Sequence, residues 1–339
     1  MNSLRQSEPG TAGANVSVVL RLENLAVVFD TEQGSVRAVD NVGFELKKGR
    51  IMGLAGESGC GKSVTALSIM RLLPKPISKI ENGTATYNGQ NIFSLPVDDM
   101  HRIRGRKISM IFQEPMTALN PVHSIGSQMT EIYRLHFPGM SGEKMHSAAV
   151  VMLEKVGIPD PQRVMKQFPH QLSGGMRQRV MIGMALACEP DILIADEPTT
   201  ALDVTVQAQI LSLIKQLQQD SDMSVILITH DLGVIAQNCD DVVVMYAGRV
   251  AERAAVRTLF KKPEHPYTRG LLESIPSLSK APKSMLPTIK GNVPSLMDMP
   301  DGCRFRGRCP KAQDICRAEV PEEREIQPSH RAACHFAGL

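Results

Sequence analysis

An α/β fold with a largely parallel sheet is what this sequence predicts, and three observations predict it. The run Gly56-Glu57-Ser58-Gly59-Cys60-Gly61-Lys62-Ser63 has the G-x-x-x-x-G-K-S pattern of a phosphate-binding loop. Short apolar runs at 51–55, 191–195 and 224–229 alternate with stretches of helical period. One run ends in the carboxylate pair Asp196-Glu197, at the strand end where α/β sheets bind ligands.

The elements follow in order. Residues 1–16 carry Ser, Gly, Pro and Asn but no apolar core, so they read as a loose tail and not as a secretory signal. Alternation over 18–29 and 36–46 predicts a β-hairpin, making the N-terminal part rich in hairpin structure. The phosphate loop follows, entered by a strand at 51–55 and left by a helix at 63–73 that Pro74 stops. A strand over 83–87 meets the tight turn Asn88-Gly89, and 107–112 is a further apolar strand ending at Gln113. The pattern then turns helical to about 171, clearest over 146–156. Helices over 175–188, 205–219 and 232–238 alternate with strands over 191–195, 224–229 and 241–246, which argues for a parallel sheet covered on both faces. From Lys261 the chain becomes Pro-rich and loses its period, marking a separate C-terminal extension.

Composition bounds the function. Among 339 residues, 38 basic side chains against 35 acidic ones leave +3, too mild for nucleic acid as the main partner. No apolar run approaches the ~20 residues that span a bilayer. Of seven cysteines, Cys60, Cys188 and Cys239 are scattered, while Cys303, Cys309, Cys316 and Cys334 crowd the C-terminal end. A nucleotide-binding protein in a reducing compartment keeps its thiols free, so the cluster points to metal before disulfides.

Each candidate residue has a chemical reason. Glycines let consecutive N–H groups of the loop converge on one anion. Lys62 reaches terminal phosphates, and the Ser63 hydroxyl sits on Mg²⁺. Asp196 holds the same Mg²⁺ through water, and Glu197 polarises the attacking water. Ser173-Gly174-Gly175 opens a helix and forms a second anion site. His230 ends a buried strand, where a lone histidine is more often structural than catalytic.

Taken in order, the loop at 56–63, Gln113, 172–178, 192–197, Ala201-Leu202-Asp203 and His230 resemble the complete motif set of an ABC transporter ATPase, over roughly residues 18–255. The resemblance implies a P-loop NTPase core over 17–255, with a helical subdomain inserted at about 115–174. It also implies a head-to-tail dimer, each ATP lying between one subunit's phosphate loop and the other's Ser-Gly-Gly turn. Ser173, Gly174 and Gly175 would then meet the partner's ATP. Gln113 would sense Mg²⁺ and the attacking water, Asp203 would cross the seam, and His230 would touch the γ-phosphate. In the loop itself Gly56, Ser58, Gly59, Cys60, Gly61, Lys62, Ser63 and the following Val64 would surround the phosphates. Phe29 resembles the aromatic that stacks on adenine. Met176 departs from the commonest pattern, which has Gln there.

The extension over 256–339 narrows the resemblance. Pro263-Glu264-His265-Pro266-Tyr267-Thr268-Arg269 is similar to the segment that follows the ATPase core in importers of dipeptides, oligopeptides and nickel. The four cysteines beyond it are separated by five, six and seventeen residues, and soft thiolates select Zn²⁺ or iron–sulfur clusters. A close C-x₂₋₄-C pair usual for zinc is absent. The run 302–310 is similar to the tail of peptide-importer ATPases, for which the family implies a [4Fe–4S] cluster with a structural role. His330 and His335 keep a mixed Cys/His zinc site open, and four unliganded thiols are the remaining alternative.

The reading is an energy-coupling ATPase of a peptide importer. It would lie on the cytoplasmic face of the membrane with two permease subunits, a second identical or related ATPase and an external substrate-binding protein, and without nucleic acid. The same role in nickel or other small-solute import is the alternative. ATPases of DNA repair insert a long coiled coil between Gln113 and Ser173, for which the 59 residues here leave no room. An exporter ATPase lacks the His-Pro-Tyr segment and the cysteine tail, and a metal sensor on a dead ATPase conflicts with Glu197.

Overall fold

The computed structural model describes residues 17–113, 118–199, 203–275 and 287–339. The tail expected over 1–16, and Ala201-Leu202, lie outside the described residues. Strands β1 (Val18–Thr31) and β2 (Gly34–Lys47) form the expected hairpin, paired from Thr31↔Gly34 down to Val18↔Lys47. On its other edge β1 pairs with β4 (Ser78–Tyr87), which turns at Asn88-Gly89 into β5 (Gln90–Asn91). These four strands make an antiparallel sheet in the order β2-β1-β4-β5.

Between hairpin and β4 lie β3 (Ile51–Ala55) and helix α1 (Lys62–Ile69). After α2 (Val97–Ile103) come β6 (Ile108–Ile111), β7 (Ile192–Asp196), β8 (Ser224–Thr229) and β9 (Asp241–Tyr246). Strands β9, β3, β8, β7 and β6 lie side by side and parallel. Their side chains alternate between two cores, as period-two geometry requires for strands buried on both faces. Met52, Leu54, Ile192, Ile194, Ile226 and Ile228 pack toward Leu20, Val27 and Phe44 of the hairpin sheet. Ile51, Leu193, Ala195, Val225 and Leu227 pack toward the helices.

Those helices are α3 (Ile125–His136), α4 (Gly142–Lys155), α5 (Pro161–Val164) and α6 (Gly174–Leu186). Ser124, Ser141 and Ser173 cap α3, α4 and α6, each hydroxyl accepting an otherwise orphaned N–H of the first turn. Helices α7 (Val204–Ser221) and α8 (Leu232–Asn238) complete the alternation.

The C-terminal segment extends the same sheet. Strand β10 (Arg249–Ala255) runs antiparallel to β9; α9 (Val256–Lys261), α10 (Pro266–Glu273) and the short α11 (Ile315–Ala318) follow. Strand β12 (His330–Ala332) then pairs with β10, and β11 (Arg324–Gln327) pairs with β12. A third core, with Val242, Val244, Tyr246, Leu259, Tyr267 and Phe305, joins extension to sheet. Among the described residues no helix is long and apolar enough to cross a membrane.

Candidate nucleotide site

Register places the site. Ala55 pairs with Thr229, Asp196 with Ile228, and Ile111 with Ala195, so β3, β6, β7 and β8 all end at one edge. That edge receives the phosphate loop after β3, Gln113 after β6, Glu197 after β7 and His230 after β8. The loop needs its glycines. Gly56, Gly59 and Gly61 adopt φ of 148°, 77° and 100°. A Cβ on Gly56 would meet the Met245 carbonyl at 2.3 Å. Ser58 and Gly59 form an exposed crest, while Gly56, Cys60, Gly61 and Lys62 are buried beneath it. The Lys62 Nζ donates to the carbonyls of Gly56 (2.8 Å) and Glu57 (3.0 Å), holding the loop closed around its own ammonium. Val64 and Phe29 are both half-buried and pack on the hairpin core.

The carboxylates take distinct environments. Asp196 is buried and accepts a hydrogen bond from Ser63. Its Oδ1 has no hydrogen-bond partner. Burial raises its pKa above the ordinary carboxylate value, the charge of Glu197 adds to the rise, and Ser63 and Lys62 oppose it. An orphaned buried oxygen beside a hydroxyl fits a hard cation that prefers oxygen ligands, so Ser63 and Asp196 suit Mg²⁺. Glu197 sits one residue beyond, at φ 44°, a left-handed backbone uncommon outside glycine. Gln113 Nε2 donates to its Oε2 at 3.2 Å, and His230 Nδ1 lies 3.3 Å from its Oε1. Three residues spread from position 113 to 230 thus meet at one carboxylate. The arrangement can hold a water against a phosphate and take its proton.

The Ser-Gly-Gly turn expected as a second anion site is separate in the chain and exposed. Ser173 Oγ accepts from the Met176 N–H at 3.3 Å, while Ser173 and Gly174 face solvent at the start of α6. Buried Gln178 ties that helix to the carbonyl of Pro198, just after Glu197. Asp203 caps α7 by accepting from the Val206 N–H at 2.9 Å.

Comparison with known proteins identifies this arrangement. Residues 39–200 match the ABC transporter family, and residues 251–316 match the family described as oligopeptide/dipeptide transporter, C-terminal region. The chain is 51% identical over 316 residues to a dipeptide transport ATP-binding protein of Bacillus subtilis (strain 168), covering 93% of this chain and 94% of that one. The chain belongs to the ABC transporter ATP-binding proteins. An oligopeptide transport ATP-binding protein of Escherichia coli (strain K12) is 47% identical over 323 residues, covering 95% of this chain and 94% of that one. A dimeric ATP-binding cassette solved in a post-hydrolysis state with ADP and Pi superposes with a TM-score of 0.63 at 29% identity, over 70% of this chain and 99% of that one. The fold expected of an ABC-type ATPase is therefore the one present.

The cysteine expectation does not fare as well. Among the described residues, no group of three or more His, Cys, Asp or Glu side chains is arranged to hold a metal ion, and all seven cysteines are free. A zinc ion, with Zn–S bonds of ~2.3 Å, would need its sulfurs drawn to about 3.8 Å of one another. Local bonds hold these segments instead: the Cys303 N–H donates to the Cys316 carbonyl, and the Cys309 sulfur accepts the Lys311 N–H. The four thiols are nonetheless neighbours. Burial pushes Cys303, Cys309 and Cys334 up, and the charge of the other thiols adds to each. Neither histidine joins them. His330 is fully buried against Glu252 (2.7 Å) and Gln327 (3.1 Å), and the His335 Nε2 meets the Glu319 carbonyl.

Sequence reasoning missed the back of the phosphate loop. Tyr267 accepts the Glu57 N–H at 3.0 Å, and Arg308 grips the Glu57 carboxylate. Arg304 holds Asp40 and the Ala247 carbonyl, one residue from the Gly248 N–H that donates to the Cys60 carbonyl. Arg308 lies beside Cys309 and Tyr267 in the His-Pro-Tyr run, both noticed for other reasons, but nothing local signals a partner more than 200 residues away.

Proposed function

We propose that this chain is the ATP-hydrolysing subunit of an importer for dipeptides or oligopeptides. Residues 17–255 act as the ATPase domain and 256–339 as its extension. The meeting of Gln113, Glu197 and His230 beside a phosphate loop and an orphaned Asp196 oxygen carries this reading. Ser63, Asp196 and Gln113 would hold Mg²⁺, which when bound would supply neutralisation of phosphate charge. Lys62 turns from its own loop carbonyls to the terminal phosphates. Glu197 takes a proton from water that Gln113 and His230 orient. Phe29 stacks on adenine. Ser173, Gly174, Gly175 and Asp203 act in trans, on the nucleotide of a second ATPase subunit.

The cargo class rests on what the relatives transport and on the matched C-terminal region. The chain works at the cytoplasmic face of the membrane, docked on two permeases that receive peptide from an external binding protein. Drawn together from their present positions, the four C-terminal thiols would hold a [4Fe–4S] cluster in a structural role. Their mutual proximity and soft-ligand chemistry support that assignment, and the engagement of His330 and His335 elsewhere favours it over the alternative of a mixed Cys/His zinc site.

Affinity purification of the tagged chain from gently solubilised native membranes tests the whole reading. Two multi-span permeases and peptide-stimulated ATP hydrolysis are expected, and Glu197→Gln should lower turnover at least 100-fold while ATP still binds. Recovery with ribosomes or DNA would remove the transport role, and near-normal hydrolysis by the variant would remove Glu197 from catalysis.

A further inference from the structure

Glu57 places a carboxylate in a loop built to receive phosphates. Its carboxylate lies at the back of the loop, paired with the extension, and a negative charge so near an anionic ligand opposes binding. The C-terminal extension answers that charge. The two terminal nitrogens of Arg308 lie 2.6 and 3.0 Å from the two Glu57 oxygens, a paired fork that a lysine cannot form. The Arg308 side chain is only 6% exposed, and its other hydrogen bonds reach the carbonyls of Ile289 and Lys290 and the Tyr246 hydroxyl. Its guanidinium also lies 5.7 Å from the Tyr246 ring centroid.

The backbone of Glu57 is held as well. Its N–H donates to the hydroxyl of Tyr267, a fully buried side chain packed among Tyr246, Phe305 and His265. Its carbonyl accepts from Lys62. One loop residue is therefore fixed at its N–H, its C=O and its carboxylate, and two of the three partners come from beyond residue 256.

We propose that Arg308 is a positioning residue for nucleotide binding, cancelling the Glu57 charge and, with Tyr267, anchoring the phosphate loop at Glu57 from behind. It does not touch the reacting atoms, so its loss affects affinity before turnover. The proposal rests on the ATPase reading above and adds to it a role for the C-terminal extension at the nucleotide itself.

The test uses the full chain in its native membrane complex, with kcat and KM for Mg-ATP measured separately. Arg308→Met leaves the Glu57 charge bare, and KM should rise on the order of tenfold with kcat within about twofold. Adding Glu57→Gln removes the exposed charge, so the double variant should return to within about threefold of the original KM. Arg308→Lys should fall between the two. A purely structural role predicts the opposite for the double variant, which has lost both halves of the fork. An unchanged KM in Arg308→Met, or a double variant as impaired as the single one, overturns the proposal. If Arg308→Met does not fold, Arg308→Lys and Tyr267→Phe carry the test, and both must raise KM. A parent complex without ATP hydrolysis would refute the ATPase reading instead, so the two failures are distinct.

Discussion

Replacing Glu252 by Ala measures how firmly the C-terminal segment is built into the sheet. Glu252 sits on β10, fully buried, and its carboxylate accepts three hydrogen bonds: Glu264 N–H at 2.8 Å, His265 N–H at 2.9 Å and His330 Nε2 at 2.7 Å. Gln327 donates to the other ring nitrogen, so Nε2 carries the proton that points at the carboxylate. Truncation strands three buried donors, each costing ~1–3 kcal/mol when left unpaired. Water entering the new cavity repairs part of this, leaving a loss of about 4 kcal/mol. For 339 residues the unfolding entropy is ~0.7 kcal/mol/K, so the thermal midpoint should fall by about 6 °C. The chain has no tryptophan, so far-UV circular dichroism is the readout. Glu252→Gln, which keeps one acceptor oxygen, should lose roughly half as much. A drop below 2 °C for Glu252→Ala would refute the claim that this carboxylate holds the segment in place.

Two further outcomes follow from the same region. Burial pulls the His265 imidazole down to about 4 from 6.5, so between those values the unfolded chain binds a proton that the folded chain does not. Its contribution is complete above pH 6.5 and declines as pH falls toward 4, by up to about 3 kcal/mol; His265→Asn should flatten the stability profile over that window, and parallel profiles would refute the assignment. Anaerobic purification should yield a brown chain with iron and acid-labile sulfide, lost together in Cys303→Ser; a colourless chain with one equivalent of zinc would sink the cluster assignment.

Some of this was readable in the chain and some was not, for physical reasons. The phosphate loop and the Asp196-Glu197 strand end are contiguous, and each carries its chemistry within eight residues. The parallel strands announce themselves by apolar runs because both faces are buried. Gln113 and His230 could be placed only by resemblance, since their meeting at Glu197 depends on strand order. Strands β11 and β12 were invisible, being four and three residues long in a Pro-rich tail. His330 was read as a potential ligand because histidine near cysteines invites it, whereas its actual partner, Glu252, lies 78 residues earlier.

The fork between Arg308 and Glu57 bears on what counts as a separable part. A cassette cut after Ala255 would keep every sequence motif of the nucleotide site and still lose the counter-charge behind its phosphate loop. Exchange of tails between related ATPases meets the same obstacle: a donor tail must bring the arginine, the tyrosine and a strand for β10, and the recipient must offer the glutamate. Where these do not travel together, the hybrid inherits an unneutralised carboxylate behind the loop that meets an anionic ligand. The unit that can be inherited, swapped or expressed alone therefore runs through the C-terminal strands, whatever the linear motifs suggest.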